Sequence, residues 1–338
     1  MASKPRIHAI EPVAAVTGGE VHIRGDGFRS VNGDRPRVNF GGVEGPLVVG
    51  SESFLVARVP EGALSGEVTV FAGNAQSDSF GFEVGVTIAE NLHPVANPAV
   101  DPHGNIYATF SGSRGQKVPT SVFRIDLNYN MRPLVTDLMN ATALAFDRSG
   151  TLYVSSRHDG TVYRVGPSGG FATYVEGMGI ATGLAFDHEN FLYVGDRSGT
   201  IFKISQNKTI FVFATLEPSI AAYHLAFGPD GYLYVTGPTT SSFDCIYRIS
   251  PAGEVEVFYR GLGRPQGMAF DEKGRLYVCA SLRGRKGVVR LASQSKAELV
   301  VSGVGLVGLA FLGRGLVLAS SNSLYYLNWD TRGLPLPA

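Results

Sequence analysis

Just ahead of a phrase that recurs along the chain stand Asn97, Thr142, Thr182, Tyr223, His224 and Gln266. Behind the same phrase, in short charged stretches, stand Arg157, Arg197, Arg283 and Arg285. Carboxamides, hydroxyls and guanidinium groups drawn from several repeats can hold anions and polyhydroxylated molecules through directional and charge-assisted hydrogen bonds. They do not make a nucleophile. There is no GxSxG elbow, no HExxH and no phosphate-binding loop, and Gly25-Asp26-Gly27 does not open a helix, so it is no dinucleotide fingerprint.

A transition-metal site from His93, His158 and His224 is conceivable, because all three fall where they could reach one face. Their spacing does not support it, since no local HxH or HxxxH pattern brings two of them together. Cys245 and Cys279 are the only cysteines. They are too few for a disulfide framework or a CxxC metal site and read as buried structural thiols.

The element that must position these residues is an internal repeat. Ala143-Leu144-Ala145-Phe146-Asp147 runs on to Leu152-Tyr153-Val154, and Gly183-Leu184-Ala185-Phe186-Asp187 to Leu192-Tyr193-Val194. His224-Leu225-Ala226-Phe227 and Gly267-Met268-Ala269-Phe270-Asp271 repeat the pattern, with a first copy around Asp101 and an eroded one around Leu312. The equivalent positions 101, 147, 187, 228, 271 and 312 lie 46, 40, 41, 43 and 41 residues apart. That period, with four short strands per copy, predicts six propeller blades. The last copy ends after three strands. The segment 86–92 stands before the first copy as a fourth strand would, so pairing it with the last blade closes the ring and removes an open edge.

In such a blade, the turn after the innermost strand holds Asp101, Asp147, Asp187 and Asp271. They read as turn-formers whose carboxylates accept local backbone N–H groups. The loops on the opposite face are unequal and carry a net charge of +4 over Arg114, Lys117, Arg157, Asp159, Asp196, Arg197, Asp244, Arg283, Arg285 and Lys286. This face is therefore expected to select a small anionic or sugar-like ligand, or an acidic protein surface.

Residues 1–85 alternate differently. Pro5-Arg6-Ile7-His8-Ala9-Ile10-Glu11-Pro12, Gly18-Gly19-Glu20-Val21-His22-Ile23-Arg24-Gly25-Asp26-Gly27-Phe28 and Phe40-Gly41-Gly42 supply inward faces for two packed sheets, Ile7, Ile10, Val21, Ile23, Phe28, Val38 and Phe40 among them. In order and spacing they resemble an IPT/TIG domain, an immunoglobulin-like sandwich. Some members of that family bind DNA, but seven basic against ten acidic residues give this segment −3, the wrong sign for phosphate contacts. No nucleic-acid partner is expected.

The repeat resembles the NHL family and its relatives, the senescence-marker-protein/gluconolactonase-type propellers. That resemblance implies a divalent metal near the axis, such as Ca or Zn, held by a Glu, two Asn and an Asp. Only Asn97 is a plausible carry-over, with Thr182 and Gln266 where ligating groups are wanted, so no metal and no other cofactor is expected. The pairing of an IPT/TIG domain with NHL-type repeats is similar to bacterial cell-surface binding proteins. The sequence reading is therefore an all-β chain. An immunoglobulin-like sandwich at 1–85 precedes a six-bladed propeller at 86–338, closed by its N-terminal strand. It recognises a ligand or protein without catalysis. A metal-dependent lactonase and a pure interaction scaffold remain as alternatives.

The whole chain of 338 residues has 29 basic and 29 acidic side chains, so it offers no general basic field for nucleic acid or membrane. Its longest apolar run is too short to span a bilayer as a helix, which takes about 20 residues. The opening Met1-Ala2-Ser3-Lys4-Pro5-Arg6 shows no secretory leader. By sequence the chain is cytoplasmic, or extracellular or periplasmic if a leader has been removed.

Overall fold

The computed structural model describes residues 4–29, 34–241 and 243–335. The outermost residues of the two expected domains, 1–3 and 336–338, lie outside the described residues. The described chain is all strand and turn, and no helix in it is long and apolar enough to cross a membrane.

The N-terminal unit is two facing sheets. One orders Arg6–Glu11, Glu20–Asp26, Phe54–Arg58 and Leu47–Gly50; the other pairs Arg37–Phe40 with Gly66–Ala72 and Gly66–Ala72 with Phe80–Ala89. Alternation drives it: along Glu20–Asp26, Val21, Ile23 and Gly25 point inward and are buried. Ile10, Val21, Ile23, Phe28, Val38, Phe40, Leu55 and Phe82 fill the space between the sheets, with Ile7 partly buried against them. Gly25 is required by close approach, because a Cβ there would stand 1.9 Å from the Arg6 carbonyl oxygen and 2.4 Å from the Phe28 ring.

Six blades follow. In the second, Ala141–Phe146, Leu152–Ser156, Thr161–Val165 and Phe171–Val175 form an antiparallel meander from the axis outward. The sixth has Leu306–Leu312, Gly315–Ser320 and Leu324–Asn328, and its fourth strand comes from the far end of the propeller sequence. Val86 pairs with Tyr326, Thr87 with Tyr325 and Ala89 with Leu324.

The recurring phrase has a physical reason. Tyr153 donates to Asp147 Oδ2 at 3.3 Å within its own blade and packs its ring against Phe186 of the next, tilted by 59° with 5.0 Å between centroids. The same wedge recurs at Tyr107–Phe146, Tyr193–Phe227, Tyr234–Phe270 and Tyr277–Phe311. Leu-Tyr-Val of one blade and Ala-Phe of the next are thus two halves of one contact. At the closing seam both rings are absent, and Val317 and Val100 stand there in one cluster. The acids behave as turn-formers: Asp147 Oδ1 accepts the N–H groups of Ser149 and Thr151 at 2.9 Å, and Asp101, Asp187 and Asp271 do the same. Burial and the Asp101 hydrogen bond push the Tyr107 hydroxyl up to about 12.

The two units share backbone. Phe80–Ala89 pairs with Gly66–Ala72 at its start, runs parallel to Ala14–Val16 through residues 83–85, and closes the last blade at its end. A division between 85 and 86 falls inside this strand. Ala14–Val16, fully buried, also pairs with Lys296–Ser302 of the fifth blade, so a strand of the sandwich bridges the outer edges of blades five and six.

Candidate functional site

The top face is the one on which each innermost strand begins, and it gathers the loops between second and third strands. Several residues singled out by sequence build its walls instead of facing a ligand. Thr142 is buried and donates to the Asn140 carbonyl at 2.9 Å. Thr182 is buried too, donating to the Gly195 carbonyl and accepting the Tyr223 N–H at 3.0 Å. Tyr223 is packed in the core between blades three and four, with its hydroxyl donated to the Glu217 carbonyl. These three correct the expectation of ligand contact: their polar atoms are engaged by backbone.

Asn97 is corrected in the same way. Its Nδ2 donates to the Met268 carbonyl at 2.8 Å and its Oδ1 accepts the Leu309 N–H at 3.1 Å, so it clasps blades five and six to the first. That bears on the metal of gluconolactonase-like propellers. The one Asn that could carry over has both amide atoms occupied, and the neighbouring axial positions hold Thr142, Thr182, His224, Gln266 and Val307, without a carboxylate. A hard cation wants several oxygens, one or two of them carboxylate. These residues do not fit it. Among the described residues no three His, Cys, Asp or Glu side chains converge. His224 is 4 % exposed, and burial alone holds its pKa down at about 4, so the ring is neutral. Gln266 is half-buried, its side chain without a protein hydrogen bond while its backbone N–H and carbonyl are both used.

The arginines divide. Arg285 turns away from the face and donates to the Glu11 carbonyl of the sandwich. It stands in a strand hairpin, Leu276–Leu282 with Arg285–Ser293, turned by Arg283 and Gly284 at φ 52° and 81°. Two successive positive φ angles suit a two-residue hairpin turn. Arg283 is exposed at its tip. Lys117 lies 3.9 Å from Asp137.

Arg157 and Arg197 are near enough for the charge of one to be felt at the other. Arg157 reaches from blade two to the long loop of blade one, donating from Nη2 to the Gly112 carbonyl at 2.8 Å, while its Nε is buried without a partner. Arg197 donates to the Ile220 carbonyl at 2.8 Å. Burial first, then the like charges of Arg197 and Arg114, lower the Arg157 pKa, and no carboxylate contributes an opposing field. The acids adjoining these arginines in sequence are engaged elsewhere: Asp196 accepts from the Ile180 N–H, and Asp159 from Thr161 and Tyr163. The charges of Arg197 and Arg114 are therefore felt at Arg157, with no carboxylate among the groups that offset them. Sequence reasoning missed Asn140, fully buried at φ 50°, whose amide holds the 111–117 loop through Gly112, Ser113 and Gly115. Its lone position outside the repeated phrase gave no signal.

The two-sheet unit matches the IPT/TIG domain family model over residues 5–84. Residues 5–84 are an IPT/TIG domain. This IPT/TIG domain is followed by a propeller with well-populated structural likenesses. An auxiliary nutrient binding protein from Bacteroides thetaiotaomicron is 11 % identical, with a TM-score of 0.59, covering 97 % of this chain and 98 % of that one. A gluconolactonase from Xanthomonas campestris is 15 % identical, with a TM-score of 0.58, over 72 % and 88 %. Virginiamycin B lyase from Staphylococcus aureus is 14 % identical, with a TM-score of 0.52, over 72 % and 97 %. At these identities the likeness is one of fold. No curated protein matches the chain.

Proposed function

We propose that the protein recognises a small anionic molecule on the top face of its propeller and does not transform it. The observation that carries this reading is Arg157: a half-buried guanidinium with a buried, unpartnered Nε, lowered in pKa by burial and then by the charges of Arg197 and Arg114, with no carboxylate offsetting them. Like charges held together are unfavourable until an anion enters, and a carboxylate or phosphate matches the planar donor fork of arginine. The sector is also fixed in place, because Asn140 and Arg157 both hold the Gly112 carbonyl. A preformed donor set loses less on binding than a mobile one.

The full-length likeness to an auxiliary nutrient binding protein agrees with a binding role. The IPT/TIG domain, welded to blades five and six through Ala14–Val16, acts as a rigid spacer or second contact surface. The lactonase reading receives no support from the axial residues, since Asn97 is committed to the backbone of Met268 and Leu309.

Thermal shift against sugar acids, dicarboxylates and sugar phosphates, each at low and high salt, tests this. A ligand that binds only the folded state raises the melting temperature by mass action. A salt-sensitive shift with one of these anions supports the reading. A flat response across the panel excludes it and leaves the protein scaffold.

A further inference from the structure

A second recessed site lies on the top face at the closing seam, between blade six and blade one. It is an open depression of about 470 Å³, inside the rough 300–1,000 Å³ span of small-molecule sites. One wall is Asn91 and His93, which follow the closing strand; another is Asn322 in the hairpin turn of blade six; the third is Phe110 and Gln116 of the long blade-one loop.

Asn91, His93, Gln116 and Asn322 are exposed, so their side chains are open to solvent and to a ligand. The side chains of Asn91 and Asn322 have no hydrogen-bond partner among the described residues, and Gln116 uses only Oε1, accepting the Ser113 N–H at 2.9 Å. His93 Nδ1 faces the Ser111 carbonyl. A carbonyl only accepts, so Nδ1 carries the hydrogen, and in the neutral ring Nε2 is left as an acceptor. The walls are tied together by backbone: Leu92 N–H donates to the Asn322 carbonyl at 3.0 Å and Ser111 N–H to the His93 carbonyl at 3.1 Å. Asn91 itself is held at φ 58°.

We infer that this depression binds a neutral, polyhydroxylated ring, a saccharide. The lining carries no carboxylate, lysine or arginine, so it does not select for charge. Free carboxamides both donate and accept, as hydroxyl groups do, and the His93 acceptor adds a site for a hydroxyl hydrogen. Phe110 is half-buried and lines the depression, so it offers apolar ring surface to the C–H face of a pyranose. The rings of Phe110 and His93 are 6.2 Å apart and tilted by 54°, so they do not form the parallel slot that a planar base would need. The site shares its loop with the arginine sector, through Gly112 and Ser113, but none of its binding groups. Either site can therefore fail without the other.

The test is calorimetric titration with methyl glucoside, methyl galactoside, methyl mannoside, maltotriose and cellotriose at low and high salt. The variants are Asn322→Ala, Asn91→Gly and Arg197→Ala. Glycine at 91 tolerates the left-handed backbone and removes only the carboxamide. The expected result is binding of at least one neutral saccharide, weakened about fivefold or more by Asn322→Ala and by Asn91→Gly. Salt and Arg197→Ala should leave that binding unchanged. Absence of binding by all five saccharides would overturn the inference. So would binding that both asparagine variants retain in full, or binding that Arg197→Ala and salt abolish.

Discussion

Asn97 Nδ2 donates to the carbonyl oxygen of Met268 at 2.8 Å, joining the first blade to the fifth across 171 positions of sequence. With Oδ1 on the Leu309 N–H, this one carboxamide replaces contacts that three separate blades would otherwise have to make. Asn97→Ala leaves both backbone groups unpaired near the axis and is expected to destabilise the protein by roughly 1–3 kcal/mol. Chemical denaturation measures this. Chelator treatment of the wild type should leave the melting temperature unchanged, because Asn97 is a clasp and not a metal ligand.

Tyr193 separates packing from hydrogen bonding. Its ring lies edge-on to Phe227 and Phe213, each 5.0 Å away, and its hydroxyl donates to Asp187 at 3.2 Å. Tyr193→Phe keeps the wedge and should cost about 1 kcal/mol. Tyr193→Ala opens the seam between blades three and four and should cost about 3–5 kcal/mol. Paired unfolding curves distinguish the two contributions.

The closing strand makes a claim about oligomeric state. Deleting residues 86–92 removes the partners of Tyr325 and Tyr326 and opens the sixth blade to its neighbours. Such an exposed edge recruits other chains. Light scattering should show oligomers or unfolded protein, and a monomer of wild-type stability would contradict the closure.

His224 sets an acid limit. Its folded pKa of about 4 lies below the ordinary 6.5. The unfolded chain therefore takes up the proton first as pH falls. The His224 contribution to stability is full above about pH 6.5 and is lost as pH drops toward 4, with a ceiling of roughly 3 kcal/mol. His224→Gln should flatten that part of the stability profile relative to wild type, as read by denaturant midpoints at a series of pH values.

The repeat made the blades legible, because a forty-residue period with alternating strands has few other solutions. Closure was legible for a related reason: three strands in the last copy require a fourth. The sandwich was readable from glycines and apolar alternation. The way the two units join was not, since Ala14-Ala15-Val16 carries nothing in its sequence to say that it pairs with Ser302, 287 residues later.

The site was half legible. Arg157 and Arg197 stand out by loop charge, yet charge does not reveal direction, and Arg285 with the same charge turns onto the Glu11 carbonyl. Thr142, Thr182 and Tyr223 stand at the right positions in the repeat. Burial and backbone hydrogen bonds decide their use, and neither can be counted from spacing. Asn91, Asn322 and Asn140 belong to no motif, and only the folded loops bring them to the face.

The central claim is that Arg157, Arg197 and Arg114 hold an anion. Calorimetric titration of the wild type, Arg157→Ala and Arg114→Ala with gluconate, glucuronate and citrate at two salt concentrations tests it most directly. Arg114 is exposed, so its removal leaves the loop anchored by Asn140 and Arg157 intact. The account expects one of these anions to bind the wild type, about tenfold or more weakly in each variant, and more weakly still as salt rises. Binding that neither variant nor salt alters, or no binding of any of the three, would contradict it.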